Sequence, residues 1–127
     1  MRILVTGAAG QVGARVVGAL GGHDVLAASR ADLDLADRDS IEAAVAGFGP
    51  DAVVNCAAMT SVDGCETDPE QAFAVNALGV RWLTRTAERF GHVFFVAIDP
   101  GRTSRKVNFM SGSECAAGVE STIADIC

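Results

Sequence analysis

Tyrosine is absent from all 127 residues, and lysine occurs once, at Lys106. The first absence removes the phenol, a common proton donor in carbonyl chemistry, from the chain's repertoire. The second, with a formal net charge of −6, leaves no basic face for a nucleic acid, so no such partner is expected. No uninterrupted apolar run reaches the ~18 residues that a membrane span needs. The chain enters a β-branched and apolar segment at Arg2, with no charged and then apolar leader, so a cytoplasmic location is expected. Metal ligands are also scarce. His23 and His92 are the two histidines, and Cys56, Cys65, Cys115 and Cys127 fit no zinc spacing. Four reduced thiols and no metal are the expectation.

What is present reads as one packed α/β domain. Half of the residues are apolar and 20% are charged, a balance that favours a globule over disorder. Arg2–Thr6 reads as a buried parallel strand. Gln11–Leu20 follows as a helix, with Val12, Val16, Val17 and Leu20 at helical spacing. Asp24–Ala28 is a second strand. Asp39 is expected to cap a helix running to about Ala46, with Ile41, Ala44 and Val45 inward and Gly47 as its stop. Ala52–Asn55 is a third strand. Asp68-Pro69-Glu70 then combines a cap, a proline at the first helical position and an acid in the first turn. That helix is expected to run to Phe90, buried through Phe73, Leu78, Leu83 and Ala87 and stopped by Gly91, before a fourth strand at His92–Ile98. The alternation implies a Rossmann-like, doubly wound parallel sheet, with strand order 3-2-1-4 as the expectation.

The segment Gly7-Ala8-Ala9-Gly10-Gln11-Val12-Gly13 lies between the first strand and the first helix. In that context Gly7 permits a tight turn, Gly10 lets backbone approach a pyrophosphate, and Gly13 lets helix and strand pack closely. The pyrophosphate would sit on the helix's free N–H groups and positive dipole end. At the end of the second strand, where an NAD-selective protein places an acid, stand Ser29 and Arg30. A guanidinium there matches a 2′-phosphate, so NADP is favoured over NAD.

The spacing G-x-x-G-x-x-G in T-G-A-A-G-Q-V-G resembles the extended short-chain dehydrogenase/reductases, and among them the dTDP-4-dehydrorhamnose reductases. The likeness continues through D-L-D-L-A-D (32–37), P-D-A-V-V-N-C-A-A-M-T-S-V-D-G-C-E (50–66) and A-F-A-V-N-A-L-G (72–79), and covers residues 1–99. The resemblance implies that Gly7, Gln11 and Val12 line the pyrophosphate and that Asp34 and Leu35 lie along the adenine. Ala57, Ala58 and Thr60 would border the ribose and nicotinamide, and Asn76 would shape the floor of the site.

The resemblance then breaks. Where that family has a Ser-Thr-Asp-Tyr-type strand end, this chain has Ala97-Ile98-Asp99-Pro100, and only the aspartate matches. No catalytic residue is therefore assigned, and a dinucleotide-holding module without hydride transfer is the favoured expectation. The alternatives are a small reductase using Asp99, Lys106, Ser111 or Ser113, and an inert scaffold. Residues 107–126 are similar to a short segment of YrdC-like threonylcarbamoyl-AMP synthases, through Gly118-Val119-Glu120-Ser121-Thr122-Ile123 and Asp125, which suggests a chimera joined near Asp99–Arg105. Val107–Met110 and Glu120–Ile126 are expected to form an added C-terminal β-hairpin. Too few residues precede it for a parallel crossover, and its apolar edge would join two chains as a homodimer.

Overall fold

A computed structural model describes residues 1–90 and the strand at residues 94–97. Strand β1 is Arg2–Thr6, helix α1 Gln11–Ala19, β2 Asp24–Ala28, α2 Arg38–Phe48 and β3 Ala52–Asn55. Helices α3 (Val62–Thr67) and α4 (Pro69–Phe73) follow, then a π-helical turn at Ala74–Gly79, α5 (Val80–Arg89) and β4 (Phe94–Ala97). All three strand pairings are parallel. Residues 91–93 and 98–127, and with them the expected helix stop at Gly91, the ends of the expected strand His92–Ile98, the expected hairpin, the segment similar to the synthases and the dimer edge, lie outside the described residues.

The observed strand order is β2-β1-β3-β4. The expected order 3-2-1-4 is thus corrected: β3 pairs on the other side of β1, not beyond β2. Burial explains the choice. All four residues of β3 are buried, with Val53 packed on one face of the sheet and Val54 on the other. A strand covered on both faces belongs at the centre. In β2, by contrast, Asp24 and Ala27 are exposed, which suits the end of the described sheet.

Alternation along β1 sorts the core into two layers. Ile3 and Val5 meet Val16 of α1 and Leu20 at its C-terminal cap, with Ala52 and Val54, on one face. Leu4 and Val53 meet Ile41 and Val45 of α2 and Leu83 and Ala87 of α5 on the other. In α5 the fully enclosed apolar side chains are Leu83 and Ala87, so Leu83 carries much of that helix's docking, about 1.5–3 kcal/mol by area.

Three helix expectations change. Asp37, not Asp39, caps α2, its carboxylate accepting the Asp39 N–H at 3.0 Å, while Asp39 supplies the acid of the first turn. Gly47 stays inside the helix. The stop is Gly49, at φ +62°, whose N–H donates to the Val45 carbonyl at 2.8 Å. The helix expected from Asp68 to Phe90 does start at the Asp68 cap and Pro69, but the π turn adds a residue to its spiral. That extra residue changes the phase upstream of Leu83. Gln71, Val75 and Gly79 therefore face inward, Leu78 is half-buried, and Phe73 is 60% exposed instead of buried. Helix α3 went unread because none of its residues is fully buried; Ser61 caps it through the Gly64 N–H at 3.1 Å.

The corrected end of α2 makes opposite demands on two neighbouring glycines, both of which face open space. Gly47→Ala is expected to stabilise the fold by about 0.5–1 kcal/mol through helix propensity. Gly49→Ala is expected to destabilise it by about 1–2 kcal/mol, because alanine resists the left-handed region. Urea unfolding of both variants measures this, and effects of the same sign would contradict the assigned helix end.

Candidate functional site

The C-terminal ends of β1 and β3 lie side by side, with Thr6 registered against Asn55. Both side chains are buried, and the Thr6 hydroxyl donates to Asn55 Oδ1, which also accepts the Ala57 N–H at 3.3 Å. A buried amide at a strand end is costly unless satisfied. Here it ties the chain leaving β3 to the turn that follows β1.

That turn fits only with glycine. Gly7 has φ +64°, and a Cβ on it would lie 2.7 Å from the Ala57 nitrogen. A Cβ on Gly13 would lie 2.2 Å from the Gly7 carbonyl oxygen, so α1 could not sit as close to the turn. Gly10 is less constrained, its Cβ position being 3.3 Å from the same oxygen.

Helix α1 differs from α2, α3 and α4 at its start. Those three are capped by the side chains of Asp37, Ser61 and Asp68. At α1 the cap is Gly10, with no side-chain cap bond and no acid in the first turn. Its first N–H groups, at Gln11, Val12 and Gly13, have no helical carbonyl to meet. The site is left electropositive and open.

Beside it lies a cleft of about 380 Å³, of ligand-binding size. Seven of the sequence-expected residues line it: Gly7, Gly10, Arg30, Asp34, Leu35, Ala57 and Ala58. The others do not. Gln11 is exposed and Val12 half-buried at the start of α1, Gly13 is buried beneath the turn, and Thr60 is exposed beyond the cleft wall. Leu33, Cys56, Met59, Gln71 and Val75 also line the cleft and were missed. The alternation in D-L-D-L pointed to Leu33 as a partner of Leu35, since both are buried, at 4% and 3% exposure. Nothing in the local pattern pointed to Gln71 and Val75, because the π turn sets their facing.

Arg30 is largely exposed, and its Nε lies 3.6 Å from Asp34 Oδ2. A pair so exposed holds the guanidinium only weakly, leaving it available to a ligand anion. Asp32 accepts both the Ser29 hydroxyl, at 2.7 Å, and the Ser29 N–H, at 2.9 Å. These bonds, the hydroxyl's foremost, hold the Asp32 carboxyl below its ordinary pKa. On the opposite wall, Asn76 clamps Met59: its Oδ1 accepts the Met59 N–H at 2.8 Å and its Nδ2 donates to the Met59 carbonyl at 2.9 Å. Among the described residues no group of three His, Cys, Asp or Glu side chains could hold a metal ion.

The cleft opens where the chain, having gone from β1 out to β2, returns past β1 to β3. A ligand cleft outside the strand ends at such a switch point, beside a glycine turn and an uncapped helix, defines a Rossmann-like α/β module. Residues 1–98 match the family described as RmlD substrate binding domain, and this chain belongs to that family.

Relatives and solved structures agree. The dTDP-4-dehydrorhamnose reductase of Mycolicibacterium smegmatis is 48% identical over 115 residues, covering 88% of this chain and 32% of that protein. The enzyme of the same name from Aggregatibacter actinomycetemcomitans is 37% identical over 91 residues, covering 69% of this chain and 31% of that protein. The crystal structure of dTDP-4-dehydrorhamnose reductase from Bacillus anthracis, in complex with NADP, superposes with a TM-score of 0.70 at 28% identity, over 75% of this chain and 34% of that one. UDP-glucose 4-epimerase of Thermus thermophilus, in complex with NAD, shares the fold with a TM-score of 0.69 at 24% identity, over 99% of this chain and 48% of that one. This chain thus spans about a third of the length of the curated relatives it matches.

The bonds from Ser29 have a measurable consequence. A carboxyl whose folded pKa is depressed contributes stability above its unfolded pKa and loses that contribution as pH falls through the folded value. By carbon-13 NMR, Asp32 is expected to titrate below an ordinary aspartate, and Ser29→Ala is expected to raise its midpoint. An unchanged midpoint in Ser29→Ala would contradict the hydroxyl's role.

Proposed function

We propose that this module holds NADP(H), or NAD(H) less strongly, across the switch-point cleft. One observation carries the reading: the start of α1, glycine-capped, without a side-chain cap and without an acid, opens beside a cleft lined by Gly7, Gly10 and Arg30. The pyrophosphate would lie on the N–H groups of Gln11, Val12 and Gly13. The adenine would lie along Leu33, Asp34 and Leu35, and Arg30 would meet the 2′-phosphate. The ribose and nicotinamide would lie toward Ala57, Ala58 and Thr60. The NADP complex of the B. anthracis relative supports the cofactor class.

In this reading the 127 residues bind the cofactor without transferring hydride. By resemblance Ala97, Ile98 and Pro100 occupy the positions of the serine, threonine and tyrosine, and none of the three carries a proton to give. A second reading, an NADPH-dependent reductase of a sugar nucleotide, is favoured by the 48% identity to the M. smegmatis enzyme. A cytoplasmic location and a homodimer formed through the C-terminal strands complete the proposal. A recombined origin gains no support from the M. smegmatis similarity: covering 88% of the chain, it necessarily crosses Asp99–Arg105.

Nicotinamide fluorescence on adding NADPH is expected to rise with the wild-type chain and not with Gly10→Val, whose side chain would fill the pyrophosphate's place. Equal binding by Gly10→Val would put the site elsewhere. Arg30→Ala is expected to weaken NADPH by about tenfold, or roughly 1.4 kcal/mol, and to leave NADH nearly unchanged. Steady NADPH consumption dependent on an added dTDP-4-keto sugar would overturn the catalytically silent reading in favour of the second.

A further inference from the structure

The π turn touches both sides of the cleft. Within it Asn76 grips Met59 through both of that residue's backbone polar groups, fixing the wall made by Cys56, Ala57, Ala58 and Met59. At its C-terminal end Gly79 is buried against the wall made by Leu33, Asp34 and Leu35. A Cβ on Gly79 would lie 2.4 Å from the Leu35 carbonyl oxygen and 2.8 Å from Leu35 Cβ. Neither neighbour can yield easily: one is backbone, and Leu35 is 3% exposed within the core. Val75, in the same turn, also lines the cleft.

Helical geometry makes the two contacts interdependent. A π turn holds one residue more than an α turn over the same path. Rewound as α-helix, the segment would rotate one end against the other by about 100° per residue, so Asn76 and Gly79 could not both keep their partners.

We propose that the π turn sets the separation of the cleft walls, with Gly79 as the positioning residue on the Leu33–Leu35 side and Asn76 on the Met59 side. This rests on the dinucleotide reading above. Gly79 touches no ligand; it acts through Leu35. Any larger residue at 79 pushes the adenine-side wall relative to the glycine turn. Loss of the Asn76 amide releases only the nicotinamide-side wall.

Two ligands separate the walls: NADPH, which spans both, and adenosine 2′,5′-bisphosphate, which occupies the adenine side alone. Titration calorimetry is expected to show Gly79→Ala weakening both by about tenfold. Asn76→Ala is expected to weaken NADPH and to leave the bisphosphate within about twofold. A merely structural role would weaken both ligands alike in both variants, which would overturn the proposal; so would unchanged binding by Gly79→Ala. If wild type binds neither ligand, the dinucleotide reading itself fails and takes this inference with it. Should Gly79→Ala not fold, amide hydrogen exchange at Met59 decides. It is expected to be slow in wild type, fast in Asn76→Ala and intermediate in Asn76→Asp, which keeps the acceptor and loses the donor; equal rates in all three would overturn the clamp.

Discussion

The close approach of the Gly7 turn to the backbone leaving β3 is the constraint on which the rest depends. With under 3 Å between a hypothetical Gly7 Cβ and Ala57, the turn after β1 meets the backbone leaving β3 with no room for a side chain at residue 7. The buried Thr6–Asn55 hydrogen bond fixes their register. From that junction α1 departs with its first N–H groups unclaimed, and the loop 56–59 departs as the facing wall. A side chain at Gly7 would have to part the strands or abandon the positive φ. Either would cost stability and remove the cleft together.

The two core layers serve that junction. Leu4 and Val53 anchor α2 and α5 on one face, and Ile3, Val5 and Val54 anchor α1 on the other. Rigid packing beneath a ligand cleft matters because an imprecise wall loses affinity to the ordering it must undergo on binding. The polar devices are local by comparison: Asp32 with Ser29, Asn76 with Met59, and Asn55 with Thr6 each order a short loop at the cleft rim.

Much of this was legible in the residues. The strand from Arg2 to Thr6, the helix at Gln11 and the Asp68-Pro69 start follow from β-branched runs, glycines and caps, all of them local signals. So does the glycine turn, and with it most of the cleft. Strand order was not legible, because nothing local distinguishes a strand added beyond β2 from one added beyond β1; that choice is made by burial on both faces of Val53 and Val54. The π turn was hidden too. It shifts the helical phase by one residue, which turned Phe73 outward and brought Gln71 and Val75 to the cleft. Gly79 carries no local mark either, since its requirement comes from Leu35, 44 positions away in the chain.

A titration with NADPH followed by amide chemical shifts tests the central claim most directly, because it reports binding and location at once. The amides of Gly7, Gly10, Gln11, Val12 and Gly13 are expected to move most and those of Arg30, Leu35, Ala57 and Ala58 to follow, while Arg2, Asp24 and Asp51, at the opposite ends of the strands, stay still. Shifts spread evenly over the chain, or confined to residues away from the glycine turn, would contradict it.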